Sequence, residues 1–529
     1  MRETLVNRLL TTSAERDPDR VAVRDRERVL TYAELESRAN RLAHLMADGG
    51  TVPGDRVGVY LDKSLESLVA IYGTLKAGAA YVPLDPQAPT SRLAYIAGNA
   101  GIQVLLTGIE KAKHWSALVS GARSIETLIA LDADGLAGNA PESPVRLLAD
   151  EALGAQPDTA PRVRQSPSDV AYILSPSGST GEPKGVMLSH RNALAFVDWA
   201  VEAFSITSAD RLSSHAPLHF DLSVLDLFAA AEAGATVVLV PTRTTMFPVE
   251  LARLIRDEAI SVWYSVPSAL TMLVTRGALE PAAFPQLRAI LFAGEVFPMK
   301  YLLRLMELLP HVRFYNLYGP TETNVCTWYE VPRYAADEAP PAIPIGRAIS
   351  GVKTVVLDEE EAPVSRGRVG ELHVGGPTVM QGYWGDPDRT SRALVERNGD
   401  RVYRTGDLVL EEDDGNLVFL GRRDSQIKSR GYRIELGEIE AALYEHPLVL
   451  ECAALAVPDE LVTNRIKAVV AARAPVDEGE LSEHCRTRLP RYMVPELFEF
   501  RDELPKSSTG KIARMLLSGT DAGVPAKTP

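Results

Sequence analysis

Residues 170–190 read VAYILSPSGSTGEPKGVMLSH, an apolar run followed at once by Ser175, Ser177, Ser179 and Thr180, interleaved with Gly178, Gly181 and Gly185 around Lys184. The run VAYIL is short, apolar and bounded by turn residues, so it reads as a buried strand. A helical segment from about Arg191 completes a strand–loop–helix arrangement. Consecutive small residues let backbone N–H groups converge on an anion; the hydroxyls add donors and Lys184 adds charge. A polyphosphate suits such a loop. The phosphate loop G-x-x-x-x-G-K-[ST] is excluded, because Gly185 follows Lys184. Taken alone, the stretch also reads as a plain surface loop.

The alternation continues in both directions. Thr31 and Glu34 have the spacing of a capping box, and Leu35, Ala39, Leu42 and Met46 follow at helical intervals up to Gly49-Gly50. Residues 55–62 read as a strand, 64–78 as a helix and 80–86 as a strand and turn. Further strands fall at 235–241, 261–266, 289–294 and 312–316, with helices between them. Strands alternating with helices predict α/β layers and largely parallel sheets. Residues 131–168, rich in Ala, Pro, Gly and Asp, predict a long surface connection. Beyond about residue 340, short strands at 353–358, 370–376 and 408–421, with the turn Asp414-Gly415, predict a β-rich subdomain. Strand–helix alternation returns from Asp424 onward, over roughly a hundred residues, a size that suits a small separate domain. The expected organisation is therefore an α/β N-terminal domain over 1–423, with layered α/β subdomains and a β-rich subdomain, and a small mobile α+β domain over 424–529.

Composition narrows the class. The chain has 529 residues, 46% hydrophobic and 24% charged, as in ordinary globular proteins. No apolar run reaches the ~18–20 residues of a membrane span, and residues 1–20 are too polar for a signal peptide. Cys326, Cys452 and Cys485 lie far apart without CxxC spacing, which argues against disulfides or zinc and suits a cytoplasmic protein. A formal charge of −14 with no basic block argues against nucleic acid as a partner.

Further motifs follow in order: NLYGPTET at 316–323, YRTGDL at 403–408, GRRDSQIKSRGYRIELGEIE at 421–440 and PKSSTGKIAR at 505–514. With the loop at 175–185 they make five motifs in order between residues 175 and 514. The set resembles the adenylate-forming superfamily of acyl-CoA synthetases, luciferases and the adenylation domains of nonribosomal peptide synthetases. The stretch 421–440 and LKAGAAYVPLDP at 75–86 resemble the peptide-synthetase branch.

The resemblance implies an enzyme in which a carboxylate attacks the α-phosphate of ATP, releasing pyrophosphate and leaving an acyl-adenylate that a thiol then takes. No protein nucleophile is required, so positioning and charge stabilisation do the work. By resemblance, Ser175, Ser177, Gly178, Ser179, Thr180, Gly181 and Lys184 cradle the β- and γ-phosphates. Asn316 and Tyr318 contact adenine, Thr321 approaches the α-phosphate, and Glu322 binds Mg²⁺. Asp407, with Arg422 beside it, accepts from the ribose hydroxyls, and Lys511 bridges substrate carboxylate and phosphate. Asp424 is the expected hinge about which the C-terminal domain swings, exchanging Lys511 for the face carrying Gly431.

Asp221, in HFDLSVLDLF, falls where amino-acid-activating members hold the substrate α-ammonium. A carboxylate in an apolar lining requires a cation, which a fatty or aryl acid does not carry. The remaining pocket positions, carried over by motif, are Leu222, Leu225, Tyr264, Leu291, Ala293, Leu317, Val325 and Cys326, closed by Lys511. Ser265 competes with Tyr264 for one position. This lining is compact and offers a side chain no charge, which predicts a small or medium aliphatic amino acid. The ordered set resembles the pocket of stand-alone enzymes that adenylate L-proline and load it onto a carrier protein in pyrrole-forming pathways. One methylene is worth only ~1–3 kcal/mol in such a pocket, so Val, Ala and pipecolate stay open.

No G-G-[DH]-S carrier motif follows Lys511, and no HHxxxDG condensation motif precedes the core. The expectation is a free-standing ligase whose acceptor, a phosphopantetheinyl carrier protein, comes in trans; coenzyme A competes. The rival readings are a D-alanine–carrier ligase, an acyl-CoA synthetase and an inactive nucleotide-binding regulator. Intact Glu322, Asp407, Arg422 and Lys511 speak against the last.

Overall fold

In the computed structural model, the strand Val170–Leu174 lies third from one edge of an eight-stranded sheet. The structure describes residues 5–132, 145–177, 182–334, 339–340, 342–423, 426–506, 512 and 514–517. From Val170–Leu174 the sheet runs parallel through Ala80–Pro83, Arg56–Tyr60, Val104–Thr107 and Thr127–Ala130 to Arg146–Leu148. The other edge differs from the expected strand–loop–helix. Residues Val186–Ser189 form a strand antiparallel to Val170–Leu174, and Gly382–Tyr383 pairs antiparallel outside it. The small-residue loop therefore joins two strands of one hairpin. The helix begins only at His190, where Ser189 and Asn192 form a capping box. Its N-terminus is separated from the loop by a whole strand, so its dipole is not what an anion in the loop would meet.

A nine-stranded sheet carries the second layer. It is parallel from Arg313–Tyr318 through Ala289–Ala293, Val262–Ser265, Arg211–Ser214 and Thr236–Leu239 to Val21–Asp25, with antiparallel strands at both edges. The strand expected at 312–316 continues to Tyr318, which places Leu317 and Tyr318 on the sheet. The capping box of Thr31 and Glu34 opens the helix Tyr32–Asp48, whose Leu35, Ala39, Leu42 and Met46 are all buried. One hydrophobic core includes inner-face residues of both sheets, among them Val57, Tyr81, Tyr172, Leu212, Val237 and Leu291. A second core, with Trp263, Ile290, Phe292 and Phe314, covers the other face of the nine-stranded sheet. The connection expected over 131–168 contains an edge strand, Arg146–Leu148, and a short helix, Asp150–Gly154; elements this short leave no periodicity to read. The β-rich part is a five-stranded antiparallel sheet built on the long strand Asp400–Glu411.

By contact clustering the chain forms two units, residues 1–176 with 183–423, and residues 177–182 with 424–529. In the second, the hairpin Gln426–Ser429/Tyr432–Glu435 turns through Arg430 and Gly431, both at positive φ (52° and 80°), the backbone that twisted two-residue hairpins require. The antiparallel pair Val449–Asp459/Thr463–Ala472 and the parallel strand Leu497–Phe500 pack with helices Leu436–Tyr444 and Glu478–Arg486 around Ile434, Ile439, Leu443, Ile466, Leu481 and Met493.

Candidate active site

The strand pleat assembles the predicted side-chain pocket. In the register of the nine-stranded sheet, Tyr264 lies opposite Leu291, and Ala293 opposite Leu317. Successive side chains on a strand face opposite ways, so Tyr264, Leu291, Ala293 and Leu317 join the core shared with the other sheet. Trp263, Ile290 and Phe292 join the outer core. Ser265 accepts a hydrogen bond from Trp263 Nε1 at 2.8 Å and shares its side of the sheet. The choice left open between Tyr264 and Ser265 is thus one of face, and Tyr264 has the face of Leu291 and Leu317. Leu222, Leu225, Val325 and Cys326 belong to the same core. The Cys326 amide donates to Tyr318 O at 2.8 Å, and burial pushes its thiol up to about 12, so it is neutral at physiological pH.

Asp221 is half-buried on a turn at the head of a helical stretch. The turn is tied by Phe220 N–H to Pro217 O (3.0 Å), by Ser223 Oγ to Phe220 O (2.7 Å) and by Val224 N–H to Asp221 O (3.1 Å). Burial pushes the Tyr264 phenol well above its usual range, and the negative charge of Asp221 pushes the same way. Burial likewise raises the Tyr172 phenol, and the Asp221 charge pushes the same way.

Two further groups lie in the first unit. Asp407 and Arg422 are cross-strand partners, and Arg422 Nη1 lies 2.6 Å from Asp407 Oδ1. The other carboxylate oxygen accepts from the Tyr318 hydroxyl. Burial, followed by the Asp407 charge, drives the Tyr318 phenol well up, so it stays a donor. Asn316, on the same strand as Tyr318, donates to Pro344 O at 2.9 Å. Beyond the strand, Gly319 starts a tight turn; a Cβ there would overlap the Asn324 carbonyl, so the close approach requires glycine. Thr321 is half-buried on this turn, and Glu322 is fully buried. Glu322 Oε1 lies 3.1 Å from Lys184 Nζ and accepts from Tyr383 OH at 2.7 Å. Lys184 leaves the small-residue loop just before Val186–Ser189, and Tyr383 pairs with Val186 in the adjacent strand. The hairpin and the strand paired to its edge thus deliver one donor each to the same carboxylate.

The geometry brings the apolar pocket set into one core, joins Tyr318, Asp407 and Arg422, and joins Lys184 to Glu322. Ser175 is half-buried and Ser177 buried. Gly178, Ser179, Thr180, Gly181, Asp424 and Lys511 lie outside the described residues. Tyr383 was not singled out from the sequence; its motif, QGYW, has no chemical signal beyond the aromatic pair. Among the described residues, no helix is long and apolar enough to cross a membrane.

The only thiol in the pocket set is buried and neutral, so the chemistry on offer there is charge placement around a bound molecule. This arrangement of charges sits on two layered, largely parallel sheets, followed in the chain by a small α+β unit. Comparison with known proteins is specific. The AMP-binding enzyme family matches residues 10–384, and the AMP-binding enzyme C-terminal domain matches residues 438–511; the chain belongs to the AMP-binding enzymes. An L-proline–[L-prolyl-carrier protein] ligase of Pseudomonas fluorescens is 40% identical over 516 residues, 97% of this chain and 99% of that one. A ligase of the same name from Streptomyces coelicolor is 40% identical over 494 residues, 91% and 90% of the two chains. The fold matches the Vibrio cholerae adenylation domain AlmE, solved with glycyl-adenosine-5'-phosphate, with a TM-score of 0.85 at 23% identity over 97% of each chain.

Proposed function

We propose that this protein is an ATP-dependent ligase that activates L-proline as prolyl-AMP and passes the prolyl group to the phosphopantetheine thiol of a carrier protein in trans. The observation that carries this is the uncharged sheet face that Tyr264, Leu291, Ala293 and Leu317 share, with Asp221 the one carboxylate of the predicted set. Near-full-length identity to two ligases of that name supports the choice of proline. Proline's ring is compact and apolar, and its secondary ammonium pairs with Asp221. Its carboxylate attacks the α-phosphate, the new acyl–phosphate bond forms as the bond to pyrophosphate breaks, and the thiol later displaces AMP.

Each predicted residue has a part in this reading. Residues 175–184 cradle the outer phosphates, Thr321 meets the α-phosphate, and Asn316 and Tyr318 hold adenine. Asp407 takes the ribose hydroxyls beside Arg422; Tyr318 then releases the hydrogen bond it makes to Asp407 in the structure described here. The buried Glu322 carboxylate, already charge-paired with Lys184, fits a hard dication, and Glu322 would hold Mg²⁺. Bound there, the ion supplies charge neutralisation at the phosphates. Lys511 bridges carboxylate and phosphate during adenylation. The domain 424–529 then turns about Asp424, bringing Gly431 to the site for the thiol step. Three buried free cysteines suit a reducing cytoplasm.

The test is ATP–pyrophosphate exchange across an amino-acid panel, followed by incubation with ATP, Mg²⁺ and labelled proline plus holo-carrier, apo-carrier or coenzyme A. Fastest exchange with L-proline and label on holo-carrier alone are expected. A different amino acid ahead of proline by about tenfold, well beyond the discrimination one methylene gives, overturns the substrate. Efficient prolyl-CoA formation without carrier loading overturns the acceptor.

A further inference from the structure

Lys63 lies outside every motif considered above. It follows the strand Arg56–Tyr60 of the eight-stranded sheet and reaches the end of Arg211–Ser214 in the nine-stranded one. There its Nζ lies 2.5 Å from Ser214 O, 2.9 Å from His215 O and 3.1 Å from Ala216 O. Three converging carbonyls use all three N–H bonds of an ammonium, and a neutral amine has only two. Burial pulls the Lys63 ammonium down to about 7, and the Asp226 charge opposes the fall.

Asp226 completes the arrangement. It is fully buried in the π-helical stretch Leu225–Ala229, and neither carboxylate oxygen has a hydrogen-bond partner among the described residues. Such π-turns occur often at functional sites. Burial raises the Asp226 carboxyl, and Lys63 is the cation that opposes the rise. The carbonyls that Lys63 clamps immediately precede the turn bearing Asp221, and the stretch that bears Asp226 immediately follows it. The turn thus runs between the carbonyls that Lys63 clamps and the stretch that carries a buried carboxyl group.

We propose that Lys63, through its three carbonyl contacts, is the positioning element of the amino-acid site, fixing the turn 217–224 and through it the Asp221 carboxylate. The proposal rests on the reading of Asp221 as partner of the substrate ammonium. Without Lys63, three carbonyls at the sheet end lose a charged donor, and hydrogen bonds to charged groups are the stronger kind.

Two readouts on the full-length protein separate the proposal from that reading. The first is hydrogen exchange of the amides of residues 217–224 without any ligand. Faster exchange there in Lys63→Met, with the rest of the nine-stranded sheet unchanged, is expected; unchanged exchange overturns the clamp whatever the substrate is. The second is pyrophosphate exchange with the amino acid selected by the panel. Lys63→Met should raise the amino-acid KM by about tenfold or more, leave the ATP KM within about twofold, and be partly rescued by Lys63→Arg. Equal rises in both KM values overturn the positioning role. Lys63→Gln keeps a neutral donor near these carbonyls and serves if Lys63→Met does not fold: it should raise the amino-acid KM selectively, and no effect overturns the clamp. If no amino acid is activated at all, the proposed function falls, and the amide exchange still decides the clamp.

Discussion

Replacing Tyr383 by Phe tests the grouping that the hairpin and its paired edge strand create. Glu322 is fully buried, and one of its oxygens receives both Lys184 Nζ at 3.1 Å and Tyr383 OH at 2.7 Å. The Phe ring keeps the volume of Tyr383 and its contacts with the Lys184 ammonium (5.4 Å) and the Arg389 guanidinium (5.9 Å). Only the hydroxyl donor is lost. A hydrogen bond to a charged group contributes about 1.5–3 kcal/mol, and about 1.4 kcal/mol is a factor of ten. The substitution should therefore lower kcat/KM for ATP by about tenfold, with an upper bound near 150-fold. Any part of the bond energy that does not reach the ATP step appears as lost stability. Initial rates at varied ATP and Mg²⁺, with the amino-acid KM as control and urea unfolding alongside, separate the two. The amino-acid KM should move less than about twofold, because Tyr383 is not among the predicted pocket residues. The reasoning fails if Tyr383→Phe leaves both kcat/KM for ATP and the unfolding free energy within error of the parent.

Asp221→Asn should cut kcat/KM for the amino acid by about tenfold to a hundredfold or more, the loss of a charge-assisted pair, while ATP binding by calorimetry persists; equal loss of both would place Asp221 elsewhere. Lys511→Ala should slow adenylation by roughly 10²–10³ and spare thiol acylation from supplied prolyl-adenylate; parallel loss of the two half-reactions would refute domain alternation. His190 is fully buried, accepts the Val6 amide at Nδ1 (3.2 Å), and is held down to about 4 by burial. Its neutral form is the folded one, so it contributes stability above the unfolded value of ~6.5 that is lost as pH falls from there toward 4, by about 3 kcal/mol in all. Urea unfolding of the parent and His190→Gln at pH 7 and pH 4.5 should show the smaller pH dependence in the variant; equal slopes would contradict this.

Local order was legible in the sequence because its causes are local. The capping box of Thr31 and Glu34, the helical spacing of Leu35, Ala39, Leu42 and Met46, and the apolar runs at 170–174 and 289–294 each draw on residues within a turn or two. The AMP-binding family was legible through motifs, which record chemistry without geometry. Val186–Ser189 was not legible: four residues between glycine and a capping serine have no period, and only pairing with Val170–Leu174 makes them a strand. The choice between Tyr264 and Ser265 turned on one residue, and on a strand one residue reverses the face, so register against Leu291 had to decide it. Lys184 with Glu322 and Tyr383, and Lys63 with the carbonyls of 214–216, join segments far apart in the chain. Charges that meet only after the sheets have packed have no spacing rule by which sequence could announce them; burial makes each of them require a partner, and the tertiary structure alone says which.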